Sequence, residues 1–368
     1  MFKRVVNYCL FIGAASALSA VANAQVTSIQ GTVGDHQEVT IVGSGFGTKP
    51  NGSKPYAFFE FGRNQSSASS YSRNAWGAPA LGSLGTSYKA SGSSAAWIFN
   101  VGGGDGDVYS GKSSTGTRFK PSPAGRDLYV YYRLYMNWDG MDAASARSDW
   151  NLKGFRMWAN DTSVPDIVVG YADAQSDGNP RVFAENTMSS SMYMSGVQGF
   201  LKNQWKTEEI ALRQSSGNNV ADAFWQQTSN GIASQAYPNL VTRTSSYPGP
   251  YTDLFWHQSE RTGFSSSSGK VIAYDVVYID DSWARVVVTD SSSWNTTSAK
   301  KVEIQVPVSW SDTKIQVLLR QGSLDSLSGK YLYVINSAGK PVSTTGFPVK
   351  GDGTVATVPT PPSSVRVQ

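Results

Sequence analysis

Residues able to do acid–base or nucleophilic chemistry are few in this chain. It has two histidines, His36 and His257, and one cysteine, Cys9. Gly43-Ser44-Gly45 does not fit the G-x-S-x-G elbow that exposes a serine nucleophile. Glu208 and Glu209 are adjacent, so on a strand they point to opposite faces and cannot share one bond between them. His257 closes an aromatic segment, Tyr247-Pro248-Gly249-Pro250-Tyr251-Thr252-Asp253-Leu254-Phe255-Trp256-His257-Gln258. That segment reads as a long connection between strands, where functional groups concentrate. Oxygen ligands for a cation occur in Gly102-Gly103-Gly104-Asp105-Gly106-Asp107 and in Asp280-Asp281. Asp105, Asp107 and Asp280 could hold a structural Ca²⁺, although EF-hand spacing is missing. No cofactor is demanded. The glycine run is not a phosphate loop, because no Lys-Ser/Thr pair follows.

Aromatic rings are the larger resource, with 18 Tyr and 11 Trp. Flat rings with polar edges suit the apolar faces of sugars. Charged residues make up 16% of the chain and the formal net charge is +4. No basic patch of the kind that marks a nucleic-acid binder is visible.

The elements that must position these side chains are strands. Alternating runs separated by Gly, Ser, Asn and Pro turns give an all-β chain. In Asp127–Asn137, Leu128, Val130, Tyr132, Leu134 and Met136 form one face; Tyr129, Tyr131, Arg133 and Tyr135 form the other. In Asn151–Ala159, Phe155 and Met157 oppose Arg156 and Trp158. In Gln204–Arg213, Ile210 and Leu212 oppose Trp205, Glu209 and Arg213. If those three strands lie side by side, Tyr129, Tyr131, Arg133, Arg156, Trp158, Trp205, Glu209 and Arg213 line one concave trough, with Trp256 beside it. Rings would stack on sugars, while Arg and Glu bind hydroxyls or uronates.

The first residues have the layout of a secretory leader: Lys3 and Arg4, an apolar run to Val21, and Ala22-Asn23-Ala24 as a small-x-small cleavage signature. The apolar run is too short for a secure membrane span. Cleavage would leave Gln25 first and remove Cys9, so the mature protein would have no disulfide and no thiolate metal site. The expected setting is bacterial and outside the cytoplasm: secreted, periplasmic or at the cell surface. Oligomeric state is not readable.

Four segments resemble strands of the concanavalin A-like jelly-roll superfamily of lectins, glucanases and polysaccharide lyases. They are Asp127-Leu128-Tyr129-Val130-Tyr131-Tyr132-Arg133-Leu134, Asn151-Leu152-Lys153-Gly154-Phe155-Arg156-Met157-Trp158, Asn203-Gln204-Trp205-Lys206-Thr207-Glu208-Glu209-Ile210-Ala211-Leu212 and Tyr274-Asp275-Val276-Val277-Tyr278-Ile279-Asp280-Asp281. Val39-Thr40-Ile41-Val42-Gly43-Ser44-Gly45-Phe46-Gly47 resembles the opening of the immunoglobulin-like IPT/TIG fold. Trp310–Val317 and Tyr331–Lys340 resemble its later half.

The resemblance implies a jelly-roll sandwich plus a small Ig-like β-sandwich, discontinuous in sequence. Its layout would be a leader at 1–24, first Ig-like strands at 25–52, the jelly roll at 53–282, the remaining Ig-like strands at 283–350 and a tail at 351–368. The glucanase E-x-D-x-x-E strand is absent. So are the Arg-Thr-Glu and Gln-Ile-His motifs of alginate lyases. The resemblance therefore implies a polysaccharide partner and non-catalytic binding. One alternative is a lyase of uronate glycans, with Arg156 neutralising the carboxylate and His257 or Tyr251 taking the proton. The other is a matrix or adhesin protein.

Overall fold

The computed structural model describes residues 24–62, 70–73, 82–101, 117–119, 125–137, 150–159, 162–172, 181–185, 192–195, 202–233, 236–246, 248, 253–261, 270–295, 300–350 and 356–357. Tyr251, Asp105 and Asp107 lie outside them, as do residues 1–23 and most of 351–368. Among the described residues no helix is long and apolar enough to cross a membrane.

Three antiparallel sheets make up the fold. A nine-stranded sheet runs β14 (Ile232–Ala233), β13 (Ala223–Ser229), β12 (Gln204–Arg213), β7 (Asp127–Met136), β17 (Lys270–Asp280), β5 (Ala96–Val101), β4 (Ser83–Gly85). To it are added β15 (Tyr237–Leu240) on β13 and β3 (Ala57–Glu60) on β17. A six-stranded sheet runs β11 (Met192–Ser195), β10 (Arg181–Glu185), β9 (Thr162–Ala172), β8 (Trp150–Ala159), β16 (Asp253–Arg261), β6 (Thr117–Phe119). These two sheets form the jelly-roll sandwich. The chain crosses between them repeatedly, since β7 is followed by β8 in the other sheet, and β15 by β16 and then β17.

The third sheet has eight strands: β22 (Phe347–Pro348), β21 (Tyr331–Ile335), β18 (Arg285–Thr289), β19 (Val302–Trp310), β20 (Lys314–Leu318), β2 (Glu38–Ser44), β1 (Gln25–Gln30) and β23 (Ala356–Thr357). It joins the first strands of the chain to the last, with β2 pairing β20 through Ile41 opposite Ile315. β19 serves both halves of this sheet. Its residues 302–305 pair with β18 and its residues 306–310 with β20, the second pairing carrying a register shift between Pro307 and Ser309. Proline cannot donate to a ladder, and Pro307 stands at this bulge. The two halves close on one core containing Ile29, Val39, Ile41, Val286, Val288, Val317 and Val334.

The glycine corner after β2 has a physical cause. Gly45 and Gly47 take φ of 69° and 71°, a region that side chains disfavour. A Cβ on Gly43 would strike the carbonyl of Gln25 and the ring of Phe46. Phe46 is fully buried. Its N–H donates to Asp312 O at 3.1 Å, and Trp310 Nε1 donates to Gly47 O at 3.0 Å.

One expectation needs correcting. Residues 253–261 are not a connection but β16, paired with β8 on one side and β6 on the other. The Pro248-Gly249-Pro250 turn signal hid the strand that begins three residues later.

Candidate functional site

β7 pairs with β12 as expected, but its other neighbour is β17 and not β8, and Leu128, Val130, Leu134, Ile210 and Leu212 are buried. The opposite face is buried as well. The eight-stranded sheet lies over it, and Phe58, Tyr129, Tyr131 and Tyr278 pack with Val287, Val302, Ile304 and Ile335 in one cluster. The trough expected on this face is therefore closed where it was predicted. Strand alternation fixes which residues share a face, but not what covers that face.

Each ligand candidate there already has partners. Tyr131 is 0% exposed, with its hydroxyl 2.9 Å from Glu303 Oε2 and 3.1 Å from Val302 O. Tyr129 OH donates to Glu209 Oε2 at 2.6 Å. Arg133 Nη1 donates to Asp275 Oδ2 at 2.9 Å. Arg213 holds Asp127 through Nε and Nη2 at 2.6 and 2.9 Å and lies 4.5 Å over the Trp283 ring. Trp205 is half-buried between Tyr135 and Arg133. Burial, and then the nearby Glu209 and Glu303 respectively, push the hydroxyls of Tyr129 and Tyr131 far above the usual tyrosine range. Neither can serve as a base. Tyr129, Tyr131, Arg133 and Glu209 are thus corrected from ligand contacts to interface residues.

The cover is locked by buried charge. Arg320, 0% exposed, donates Nε and Nη2 to Glu60 Oε1 at 3.0 and 2.8 Å. His36 Nε2 lies 2.8 Å from Glu60 Oε2, and its Nδ1 lies 3.0 Å from Asp35. Burial alone would raise the Glu60 carboxyl, but the charge of Arg320 and the hydrogen bonds of His36 and Arg320 bring it down to about 2. Hydrogen bonds to Asp35 and Glu60 raise His36 to about 9. His36 is thus part of the clamp.

Asp280 is corrected too. Lys49 Nζ and the Tyr278 hydroxyl bond its Oδ2, while the Asp281 N–H bonds its Oδ1. Burial first, against the pull of Lys49, raises Asp280 to about 6. Its oxygens are engaged, and among the described residues no group of three His, Cys, Asp or Glu is arranged to hold a metal.

The remaining candidates fall in the six-stranded sheet, where the backbone register sets which positions share a face. One cross-strand row reads Arg118, Phe255, Arg156, Val168, Phe183, Tyr193. The row two residues along reads Asp253, Trp158, Asp166, Glu185. Rows two apart share a face. His257 is two residues beyond Phe255 on β16 and falls on the same face, opposite Gly154 in the register. The alternate rows read Trp256, Phe155, Val169, Val182, Met194 and Leu254, Met157, Ile167, Ala184, Met192.

One face of this sheet therefore carries charges, rings and the histidine; the other is mostly apolar along these rows and turns polar in the next one, Gln258, Lys153, Gly170, Arg181, Ser195. Arg156, Trp158 and His257 come together on the mixed face, and Trp256 falls on the apolar one. Tyr131 and Trp205 belong to the other sheet. Sequence reading missed Arg118, Asp166, Glu185, Tyr193 and Asp253. The alternation inside β9 and β10 was the available signal for Asp166 and Glu185.

No protein-family model matches the chain, and no curated protein matches it. Solved structures do match. The marine PL-14 alginate lyase from Aplysia kurodai is 15% identical, covering 54% of this chain and 85% of its own, with a TM-score of 0.35. The cellulose-induced protein Cip1 is 14% identical, covering 55% and 85%, with a TM-score of 0.35. The endo-β-1,4-glucuronan lyase from the fungus Trichoderma reesei is 7% identical, covering 72% and 90%, with a TM-score of 0.32.

Proposed function

We propose that this protein is exported and binds an anionic polysaccharide along the mixed face of the six-stranded sheet. The observation that carries the reading is the register that gathers Arg118, Arg156, Trp158, Phe255, Tyr193 and His257 on one face. Guanidinium groups match a uronate carboxylate two bonds at a time. Rings between them match the sugar faces. The row of Asp253, Asp166 and Glu185 makes one end of the face acidic, so a polyanion would lie over the arginine row. The terminal strands, joined through β2 and β20, we read as an Ig-like unit that carries the jelly roll as an insertion.

A second reading, β-elimination, is favoured by one feature. Arg156 and His257 stand diagonally on paired strands, a separation of about 7–8 Å in a regular ladder. That spacing allows Arg156 to neutralise a uronate carboxylate while His257 removes the C5 proton of the same sugar. The electron pair then forms the C4–C5 double bond and expels the C4 oxygen.

Retention on immobilised polyuronate and neutral glycans tests both readings. Retention on polyuronate alone is the expected result, abolished in Arg156→Ala/Trp158→Ala. An unsaturated uronide product would establish the lyase. Unchanged retention in a folded double variant would remove this face from the function. Absence of both retention and product would leave the matrix or adhesin role.

A further inference from the structure

The eight-stranded sheet does not cover the nine-stranded one completely. Along β12 and β13 it leaves a cleft, which belongs to a different sheet from the mixed face. The main cavity has a volume of about 510 Å³ and continues into neighbours of about 160 and 380 Å³. The main and smallest cavities share Glu209, Gln226, Thr228, Arg285 and Lys340; the main and third share Lys300. That size lies in the range of sites that enclose small ligands.

One wall is sheet. Glu209 pairs with Thr228, and Ala211 with Gln226, so Glu209, Thr228 and Gln226 share the outer face. The hairpin tip Asn230-Gly231 bounds this wall with both φ values positive, 46° and 74°. A Cβ on Gly231 would strike the carbonyl of Lys300, so glycine is what lets the tip close against the opposite wall. That opposite wall holds Arg285, Trp294, Lys300 and the turn at Gly339-Lys340.

The cleft's charge is unbalanced. Arg285, Lys300 and Lys340 line the main cavity against Glu209 alone. Arg285 is 8% exposed and lies 4.2 Å over the Tyr129 ring. Its Nη1 donates to Trp283 O, its Nη2 stands 3.6 Å from Glu209, and its Nε has no hydrogen-bond partner among the described residues. A buried guanidinium donor without an acceptor is costly and points to a missing anion. Lys300 Nζ sits 4.1 Å over the half-buried Trp294 ring and donates to the Trp294 carbonyl. Burial lowers the pKa of Lys300 against the pull of Glu209 and Asp290; an arriving carboxylate would reverse that. Lys340 is exposed at the mouth and has no ion pair among the described residues.

We propose that this cleft is a second binding site, for the carboxylate-bearing end of an acidic oligosaccharide. Arg285 and Lys300 hold the carboxylate, Lys340 attracts it at the mouth, and Gln226 and Thr228 bond hydroxyls. The Trp294 ring supplies the stacking surface. Rings beside amide and hydroxyl groups favour a sugar over an acidic peptide.

The test is titration of the whole protein with trigalacturonate at low salt, read by tryptophan fluorescence. Saturable quenching is expected, and Trp294→Phe should remove it. Lys340→Glu/Gln226→Ala, two changes at exposed or half-exposed positions, should weaken binding at least tenfold with the unfolding midpoint kept. Arg156→Ala should leave this signal unchanged, so failure of the sheet-face reading and failure of the cleft are told apart. Equal binding of maltotriose would overturn the need for a carboxylate. Equal binding of triglutamate would overturn the sugar. Undiminished quenching in Lys340→Glu/Gln226→Ala would overturn the site.

Discussion

The outer face of the nine-stranded sheet and the mixed face of the six-stranded sheet are built from the same residue types. The first carries Tyr129, Tyr131, Arg133, Glu209 and Arg213; the second carries Arg118, Arg156, Trp158, Tyr193, Asp166 and Glu185. On the first, Tyr129 and Tyr131 are sealed under the eight-stranded sheet, and Glu209 lies at the edge of that cover. Rings there act as core, and the charges are paired: Glu60 with Arg320 and Tyr131 with Glu303 across the interface, Arg133 with Asp275 within the nine-stranded sheet. A face rich in Tyr, Arg and Glu can thus become a polar-studded core or a ligand platform. The difference lies in whether another sheet supplies partners for its charges. Buried charges survive only when paired and hydrogen-bonded.

Four measurements would break or sharpen this comparison. The largest effect is expected from Glu60→Ala, which leaves Arg320 buried without its main acceptor. Stability in urea should fall by about 3–5 kcal/mol, and a loss below ~1 kcal/mol would mean the clamp does not hold the cover. Next is Tyr131→Phe, which keeps the ring and removes the hydroxyl bonded to Glu303. It should cost about 1–3 kcal/mol of stability while retention on polyuronate stays intact; lost retention would return Tyr131 to the ligand. The mirror case is Arg156→Ala. Retention should weaken about tenfold, near 1.4 kcal/mol, with the unfolding midpoint held; the reverse pattern would make Arg156 structural.

The smallest effect is one of pH. The His36 pKa is raised from 6.5 to about 9 in the fold. The stabilisation this gives is complete below 6.5 and is lost as pH rises through about 9. The melting difference between wild type and His36→Asn should therefore be largest in mildly acidic buffer and vanish in alkaline buffer. A difference that grows with pH would show that His36 is neutral in the fold.

Much of the fold is legible in particular residues. The stretch Gln204–Arg213 is β12 without a change at either end, because its alternation of Ile210 and Leu212 with Glu209 and Arg213 is unbroken. The glycines around Phe46 announce a corner because no side chain tolerates those φ values cheaply. β16 was hidden, since Leu254-Phe255-Trp256 has no alternation to read. The pairing of β2 with β20 was visible only as a resemblance, because its ladder joins residues whose contact no local pattern encodes.

The candidate site was legible by half. Arg156, Trp158 and His257 were chosen for their chemistry and do fall on one face, but their grouping with Tyr131 and Trp205 failed because β8 crosses to the other sheet.

By itself the sequence determined the all-β class, the places of most strands and the two sides of each, because these follow from backbone geometry repeating every two residues. Only the tertiary structure decided that the Tyr129–Tyr131 side would be covered. Covering a face depends on segments far away in the chain, here β18, β19 and β21 laid over β7 and β12. Desolvation then turns the same tyrosines and arginines from ligand contacts into partners of buried charges.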